Sequence, residues 1–500
     1  MRRFLLAAAC ALATAVPAAA QTLHVALRQD LDVTDPTLAT TYVGRIVFAG
    51  LCDKLFDIDE KLNIVPQLAT GYEWADGKTL VIHLRPGVKF HDGEPVDADA
   101  VKYTLNRDLT MQGSFRKSEI SSIDHVDVVD PTTVRIVLKT PSGAFLAQLT
   151  DRSGMPLPPK ATEQEGKDFA AHPVCSGPFK FVERAAQDHV TLEKFADYWD
   201  AKDIHFDKVV YQVFTDSSVR LANLKAGTSD MVEFIAPTDT AAVKADPKLR
   251  LVVFDALGNL GITNNLDNGA RADTPYGKNA LVRQAFSAAI DRTALVNVVY
   301  SDMYAPSVQP VSASSPFYDP SLKPPPRDVA KAKALLKQAG VTLPVKVELM
   351  TPNQPDQLQV AEVIQSMTSE AGFDVHIQAV EFASSLQASA RGDYQAYLIG
   401  WSGRVDADGN SYAFLHSGQG NNASHYSNPT VDALLDDARG STDLAKRKAD
   451  YFKVWAEIQQ DLPITYLYNP RNIMAMSVKV KGFRPVPDGM IRLQGLEMSK

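Results

Sequence analysis

The segment from residue 345 to residue 401 constrains the fold of this chain most, because it repeats a strand-and-helix pattern. VKVELM (345–350), FDVHIQAV (373–380) and YQAYLIGW (394–401) have the apolar pattern of strands, and helical patterns, the first closed by Gly372, connect them. Strands that are joined through helices run parallel. The segment therefore predicts a doubly wound α/β unit, in which ligands bind beyond the carboxyl ends of the strands.

Two regions nearer the amino terminus complete the predicted architecture. Strand patterns alternate with turns at Pro86-Gly87, Asp92-Gly93 and Asp130-Pro131, which predicts an antiparallel subdomain rich in hairpins. The pattern from 208 to 235 then reads strand, helix, strand, and predicts another parallel crossover. A chain of this length exceeds what one hydrophobic core supports, so we expect at least two lobes.

The first 20 residues have the features of a secretory signal peptide. Two arginines precede a short apolar stretch, and Ala18-Ala19-Ala20 forms a cleavage site of the A-x-A type. The apolar stretch is too short to span a bilayer. Cys10 offers the alternative of a lipoprotein, which Ala7 three residues before it disfavours. We therefore expect an exported protein that is released from the membrane.

The charge and cysteine content of the remaining chain limit its partners. The formal charge changes from −8 to −10 on cleavage, because Arg2 and Arg3 leave and residues 1–20 contain no acid. An acidic chain is a poor partner for nucleic acid or for an anionic membrane. The two cysteines left, Cys52 and Cys175, would enter an oxidising compartment, where an even pair favours a disulfide over two buried thiols.

The sequence GWSGRVDADGN, residues 400–410, begins at the end of the third predicted strand and resembles two kinds of site at first sight. A calcium loop starting at Asp406 would need Gly and Glu where Ser411 and Ser417 stand. A nucleophile elbow would need G-x-S-x-G, whereas this segment has G-x-S-G. We find no catalytic, metal-ligating or phosphate-binding motif, so the sequence predicts neither an enzyme nor a bound cofactor.

Several segments, in this order and spacing, resemble the family 5 extracellular solute-binding proteins of bacterial ABC transporters, which bind dipeptides, oligopeptides, glutathione or nickel. They are LATGYEWADGKTLVIHLRPGVKFHDGEPVDADAV, PVCSGPFKF, DYWD, SSVRLANLKAG, VRQAFSAAIDRTALV, DVAKAKALLKQAG and AYLIGWSG. The resemblance covers essentially the whole chain after residue 20. LRPGVKFHDG, with the helical D-A-V segment that follows it, is its most specific part.

The resemblance implies an α/β periplasmic-binding-protein clamshell, bilobal, with an extra subdomain inserted in the first lobe. The hinge is expected near 255–264 and 466–471, and Cys52 and Cys175 are expected to fix the inserted subdomain. The expected division is a signal peptide (1–20), a first-lobe core (21–47, 180–259 and 470–500), its inserted subdomain (48–179) and a second lobe (260–469).

In peptide-binding relatives, an acid shortly after the Gly-Trp pair binds the amino terminus of the ligand. Asp406 or Asp408 could do so here, but Arg404 stands where an acid is common, and it could bind a ligand carboxylate or pair with Asp406 instead. The residues that the resemblance implies for ligand binding are Thr41, Tyr42, Phe382, Trp401, Ser402, Gly403, Arg404, Asp406 and Asp408.

These features predict a monomeric periplasmic protein that captures a small peptide or another carboxylate-bearing solute between its lobes. It would deliver the solute to the permease of an ABC importer in the inner membrane. Two alternatives remain open at this stage. One is a sensory adapter that docks, with ligand bound, on a chemoreceptor, and the other is an exported hydrolase.

Overall fold

The computed structural model describes residues 21–499, so the predicted signal peptide lies outside the described residues. The strands are β1 (Thr22–Leu27), β2 (Phe56–Ile58), β3 (Ile64–Pro66), β4 (Ala69–Trp74), β5 (Thr79–Leu84), β6 (Ile123–Asp130), β7 (Thr133–Leu138), β8 (Phe179–Ala185), β9 (His189–Lys194), β10 (Lys208–Val213), β11 (Met231–Val232), β12 (Leu249–Asp255), β13 (Asn259–Asn264), β14 (Ala305–Pro306), β15 (Val345–Pro352), β16 (Phe373–Val380), β17 (Ala396–Trp401), β18 (Ile464–Asn469), β19 (Arg471–Ser477), β20 (Val480–Lys481) and β21 (Glu497–Met498).

The helices are α1 (Tyr42–Leu51), α2 (Ala98–Thr110), α3 (Lys117–Ile120), α4 (Phe145–Gln148), α5 (Pro159–Glu165), α6 (Ser217–Ala226), α7 (Thr240–Ala245), α8 (Pro275–Lys278), α9 (Ala280–Ala288), α10 (Arg292–Tyr300), α11 (Val329–Ala339), α12 (Pro355–Ser369), α13 (Phe382–Arg391), α14 (Asp408–Leu415), α15 (Pro429–Gly440) and α16 (Leu444–Asp461). Short 3-10 turns lie at Arg152–Gly154, Gly166–Ala171, Ala201–Asp203, Pro237–Asp239 and Ala270–Ala272.

The first lobe is built on a seven-stranded sheet in the order β12-β19-β11-β1-β10-β9-β8. β10 and β11 both run parallel to β1, which confirms the crossover predicted between residues 208 and 235. The helix between them, α6, forms where expected because Asp216 accepts hydrogen bonds from the first turn and Gly227 ends it with a φ of 75°. The core of this lobe is a cluster of buried aliphatic and aromatic side chains beneath α1.

An antiparallel four-stranded sheet, β4-β5-β7-β6, carries the hairpins predicted in the amino-terminal region. One predicted strand, near residues 87–90, is absent from this described region, where Lys89 and Pro95 form only an isolated bridge. The turns on either side leave too few residues there for a ladder. The subdomain is joined to α1 by a disulfide between Cys52 and Cys175, which confirms the predicted pair.

The second lobe has a six-stranded sheet in the order β14-β18-β13-β17-β15-β16. β15 runs parallel to both β16 and β17, as the pattern of residues 345–401 predicts. β13 and β18 are antiparallel to their neighbours, so the sheet is mixed. The predicted doubly wound unit, β15, β16 and β17, is therefore one side of a larger sheet. The carboxyl ends of these strands lie close to the residues that the sequence predicts.

The chain passes between the two sheets at residues 256–258, from β12 to β13, and at Pro470, from β18 to β19. Asn469 donates from its side-chain amide to the carbonyl of Gly258 at 3.0 Å, so the two connections lie side by side. The bounds predicted for the lobes and for the hinge stay a proposal. Within residues 21–499, no helix is both long and apolar enough to cross a membrane.

Candidate functional site

The carboxyl edges of the parallel strands in the two lobes face each other across a cleft. Gln29 lies just beyond β1 and accepts a hydrogen bond at 3.0 Å from the amide of Gln354, which lies beyond β15. Farther along, Arg45 of α1 donates to the hydroxyl of Ser402, beyond β17, at 3.4 Å. Because ligands of open α/β sheets bind beyond these edges, the cleft is the candidate site.

One side of the cleft is formed by Arg28, which follows β1 directly. Its guanidinium lies 5.5 Å from the ring centre of Tyr42 and 5.0 Å from that of Phe234, and both aromatic faces stabilise the cation. Its Nε atom is 3.4 Å from Glu233, and about a third of the side chain (32 %) remains exposed. This arginine is therefore held in place, with donors still accessible to a solute.

A cavity of about 180 Å³ opens beside Arg28, between the two lobes. Phe234 of the first lobe and Tyr300, Gln354 and Asp356 of the second contribute to its wall. The cavity is therefore large enough for several waters or a small solute group.

The resemblance implies ligand contacts for Thr41, Tyr42 and Phe382. In the structure these three side chains have different surroundings from one another. Thr41 caps α1, since its hydroxyl accepts from the backbone of Gly44 and donates to Asp32. The ring of Tyr42 faces Arg28, while its hydroxyl donates to a backbone carbonyl on the first lobe. Phe382 is half-buried at the start of α13. Their contact with a ligand stays a prediction.

The Gly-Trp segment, residues 400–410, lies directly against the first connection between the lobes, residues 256–258. A Cβ atom on Gly258 would lie 2.3 Å from the carbonyl oxygen of Trp401. Gly403 has a φ of 81°, and a Cβ there would lie 2.2 Å from the carbonyl carbon of Leu257. Both positions require glycine because backbone meets backbone there.

The acids of the DADGN sequence are bound inside the protein. Asp406 receives both terminal nitrogens of Arg447, at 2.7 and 2.8 Å, and Asp408 receives two nitrogens of Arg439 at the same distances. Asn410 closes the turn by accepting from Trp401 and from the backbone of Arg404. The carboxylates predicted to bind a ligand amine are thus neutralised by arginines, and their role in binding stays a prediction.

Arg404 does not pair with Asp406, and the interpretation that allowed this pair is wrong because Arg447 takes both oxygens of that acid. The Nε atom of Arg404 instead lies 2.8 Å from Asp151, while its guanidinium stacks 4.4 Å above Trp401. Burial, together with Arg45, lowers the pKa of Arg404 to about 10, although Asp151 opposes the shift. The sequence did not suggest this partner, which belongs to the inserted subdomain.

Three further arginines surround Asp151, and with Arg404 they form what we call the arginine cluster: Arg45, Arg116, Arg152 and Arg404. All four are buried, with at most 7 % exposed. Of these four arginines the sequence indicated only Arg404. Arg45, Arg116, Arg152 and Arg28 were missed, although Arg28 could have been found from its place at the carboxyl end of β1. Within residues 21–499, no group of three or more His, Cys, Asp or Glu side chains is arranged to hold a metal ion.

Two α/β lobes, joined by two adjacent connections and facing each other at their carboxyl edges, define a solute-binding protein of the clamshell class. Residues 63–422 match the model of the bacterial extracellular solute-binding proteins, family 5 (middle region). The glutathione-binding protein GsiB of Pectobacterium atrosepticum is 30 % identical over 515 aligned residues, which cover 100 % of this chain and 99 % of that protein.

Solved structures show the same fold. The periplasmic binding protein DppA of Helicobacter pylori, in complex with the peptide STSA, has a TM-score of 0.88 at 26 % identity and matches 96 % of this chain and 98 % of its own. AgaA of Agrobacterium tumefaciens R10, in complex with agropinic acid, has a TM-score of 0.85 at 26 % identity, with coverages of 96 % and 99 %. This chain belongs to the family 5 extracellular solute-binding proteins, which confirms the family and the clamshell fold inferred from the sequence.

Proposed function

We propose that this protein is the periplasmic receptor of an ABC importer and that it captures a carboxylate-bearing solute, such as a small peptide, between its lobes. The solute would contact both lobes, which favours the closed state, and a permease in the inner membrane would recognise that state. We propose that the receptor is monomeric, is exported through its signal peptide, and releases its solute chemically unchanged.

The positive charge of the cleft is the observation that supports a carboxylate-bearing solute. Arg28 and Arg45 approach from the first lobe and Arg404 from the second. The acids that could hold an ammonium group in the same loop, Asp406 and Asp408, are neutralised by other arginines. Guanidinium groups bind carboxylates through paired, charge-assisted hydrogen bonds. Arg45 and Arg404 share a single acid, Asp151, so positive charge remains beside the Gly-Trp segment and the group recognised there is an anion.

The ligands named for the relatives support this chemistry. Glutathione, a peptide and agropinic acid are named for GsiB, DppA and AgaA respectively. All three compounds carry a carboxyl group.

Calorimetry and thermal unfolding with matched compounds test the proposal. We expect peptides and organic acids to bind and to raise the melting temperature, because a ligand that binds only the folded state stabilises it. Their carboxamide analogues should bind about 10- to 100-fold more weakly, which corresponds to the loss of a hydrogen bond to a charged group. Equal binding of acid and carboxamide would refute the proposal.

The variant Arg404→Met tests the residue. We expect it to weaken binding of the acid by about 10- to 100-fold while leaving binding of the carboxamide unchanged. Arg271→Met is the matched control, because Arg271 lies on the surface with 54 % of its side chain exposed. Loss of uptake on deletion of the protein, with the bound solute recovered intact, would support transport over the hydrolase. A normal uptake with loss of chemotaxis would support the sensory adapter instead.

A further inference from the structure

The arginine cluster contains more positive charge than its surroundings compensate. Its four guanidiniums come from α1, from the turn before α3, from a 3-10 turn and from the Gly-Trp loop. Two acids contact them, Asp151 and Glu119. Asp32 is near enough to interact with Arg152, and Asp108 with Arg116. With Asp32 counted the group retains one positive charge in excess, and Asp108, whose pKa burial raises to about 7, offsets that charge only where it is ionised.

The hydrogen bonds of the cluster leave donors without acceptors. Arg116 gives one terminal nitrogen to Glu119 and the other to the carbonyl of Ala39, which also accepts from Arg152. The Nε atom of Arg116 is buried without a hydrogen-bond partner. The same is true of Nη2 of Arg404, which lies 3.9 Å from a carboxylate oxygen of Glu119.

Buried donors without partners are rare in native proteins and indicate a bound water or ion that completes them. A buried cation without a counterion is costly, because neither water nor an opposite charge stabilises it. Burial and the neighbouring Arg116 lower the pKa of Arg152 well below its usual range, which is a sign of the same excess charge. An anion would satisfy the donors and the charge together, whereas water would satisfy only the donors.

We propose that the arginine cluster is a binding site for a small anion, occupied by an inorganic ion in the solute-free protein and by a solute carboxylate in its place. The anion contacts arginines of the inserted subdomain and of the second lobe at once. The anion therefore holds the inserted subdomain and the second lobe together. When a solute carboxylate replaces the inorganic ion, the contact between these two parts is kept. The inorganic site does not depend on which solute the protein transports.

Crystals of the dialysed, solute-free protein soaked in sodium bromide test the site directly. We expect an anomalous peak within hydrogen-bonding reach of Nη2 of Arg404 and Nε of Arg116. A second soak with excess sodium acetate should remove the peak, because the carboxylate takes the same donors. Absence of a bromide peak overturns the proposal, and a peak that persists in acetate overturns the shared carboxylate site.

Variants with opposite expected effects provide a second measurement in solution. Thermal midpoints are measured in increasing sodium bromide, with the ionic strength kept constant by the sodium salt of MES, a bulky sulfonate. We expect Asp151→Asn, which adds one positive charge to the excess, to steepen the rise of the midpoint with bromide, and Arg152→Met to flatten it. Lys346→Met, at an exposed position on the second lobe, should match the wild type.

Equal bromide dependence in all four proteins would also overturn the proposal. The proposed function fails in a different way, since no acid would then bind in calorimetry while the bromide peak remained.

Discussion

Replacement of Asp406 by Asn tests whether this acid holds the Gly-Trp loop rather than a ligand. The carboxylate and Arg447 form a two-pronged pair at 2.7 and 2.8 Å, with side-chain exposures of 11 % and 5 %. Arg447 also donates to the backbone carbonyls of Ala438 and Gly143, so the pair connects α15, α16 and the inserted subdomain to the loop. The Asp406→Asn substitution would leave the guanidinium buried without its counterion.

We expect the free energy of unfolding to fall by about 3–5 kcal/mol in Asp406→Asn, the usual cost of breaking a buried pair by removing one partner. Urea denaturation measures the loss. Glu348→Gln is the matched control, because Glu348 and Arg271 are also 2.7 Å apart but lie on the surface. An exposed pair contributes less than about 1 kcal/mol.

The double variant Asp406→Asn with Arg447→Met should recover much of the lost stability, since it removes the unpaired charge as well. Binding of the carboxylate solute should change less than stability does. A loss below about 1 kcal/mol in the single variant, equal to that of the surface control, would refute the structural role. Loss of binding with unchanged stability would assign Asp406 to the ligand.

Two further perturbations probe the first lobe and its inserted subdomain. Burial raises the pKa of Asp108 to about 7, while Thr37 donates to one of its oxygens and the other has no partner. The unfolded carboxyl titrates near 3.9, so the contribution of Asp108 to stability is greatest below about pH 4 and falls by up to about 1.4 kcal/mol per pH unit as the pH rises toward 7. Asp108→Asn should flatten this slope in urea unfolding at pH 5, 6, 7 and 8, and an unchanged slope would contradict it. Replacement of Cys52 and Cys175 by Ser should cost about 5 kcal/mol, the loop-closure value for a separation of 123 residues. Urea unfolding with and without reductant checks this, and the Ser variant itself should not respond to reductant.

The sequence predicts best the helices and strands whose hydrophobic periodicity extends over the whole element and whose ends carry capping residues. The alternation in β15 and β16, the caps of α6 and the glycine after α12 all act locally, so they can be read from neighbouring residues. The position of the Gly-Trp segment at the end of β17 can be predicted in the same way. The local pattern shows where the strand ends, and ligands of such sheets bind beyond the carboxyl ends of the strands.

The side chains that neutralise Asp406, Asp408 and Arg404 could not be predicted from such local patterns. Asp408 meets Arg439 across 31 residues and Asp406 meets Arg447 across 41, through two helices whose packing no local pattern specifies. The partners of Arg404 are more distant still, because Asp151 belongs to the inserted subdomain. A charged residue in a helix or turn most often faces solvent, so burial of four arginines together is visible only in three dimensions.

The contact between the Gly-Trp segment and the connection at residues 256–258 would couple solute recognition, as we propose it, to the motion of the lobes. Gly403 packs on Leu257, and the next residue, Arg404, carries the guanidinium that we assign to the solute. Hinge motions are absorbed by a few residues at the ends of elements, and the connection that we propose as a hinge touches the Gly-Trp segment. We infer that a solute that fixes Arg404 also fixes the backbone against which the lobes rotate.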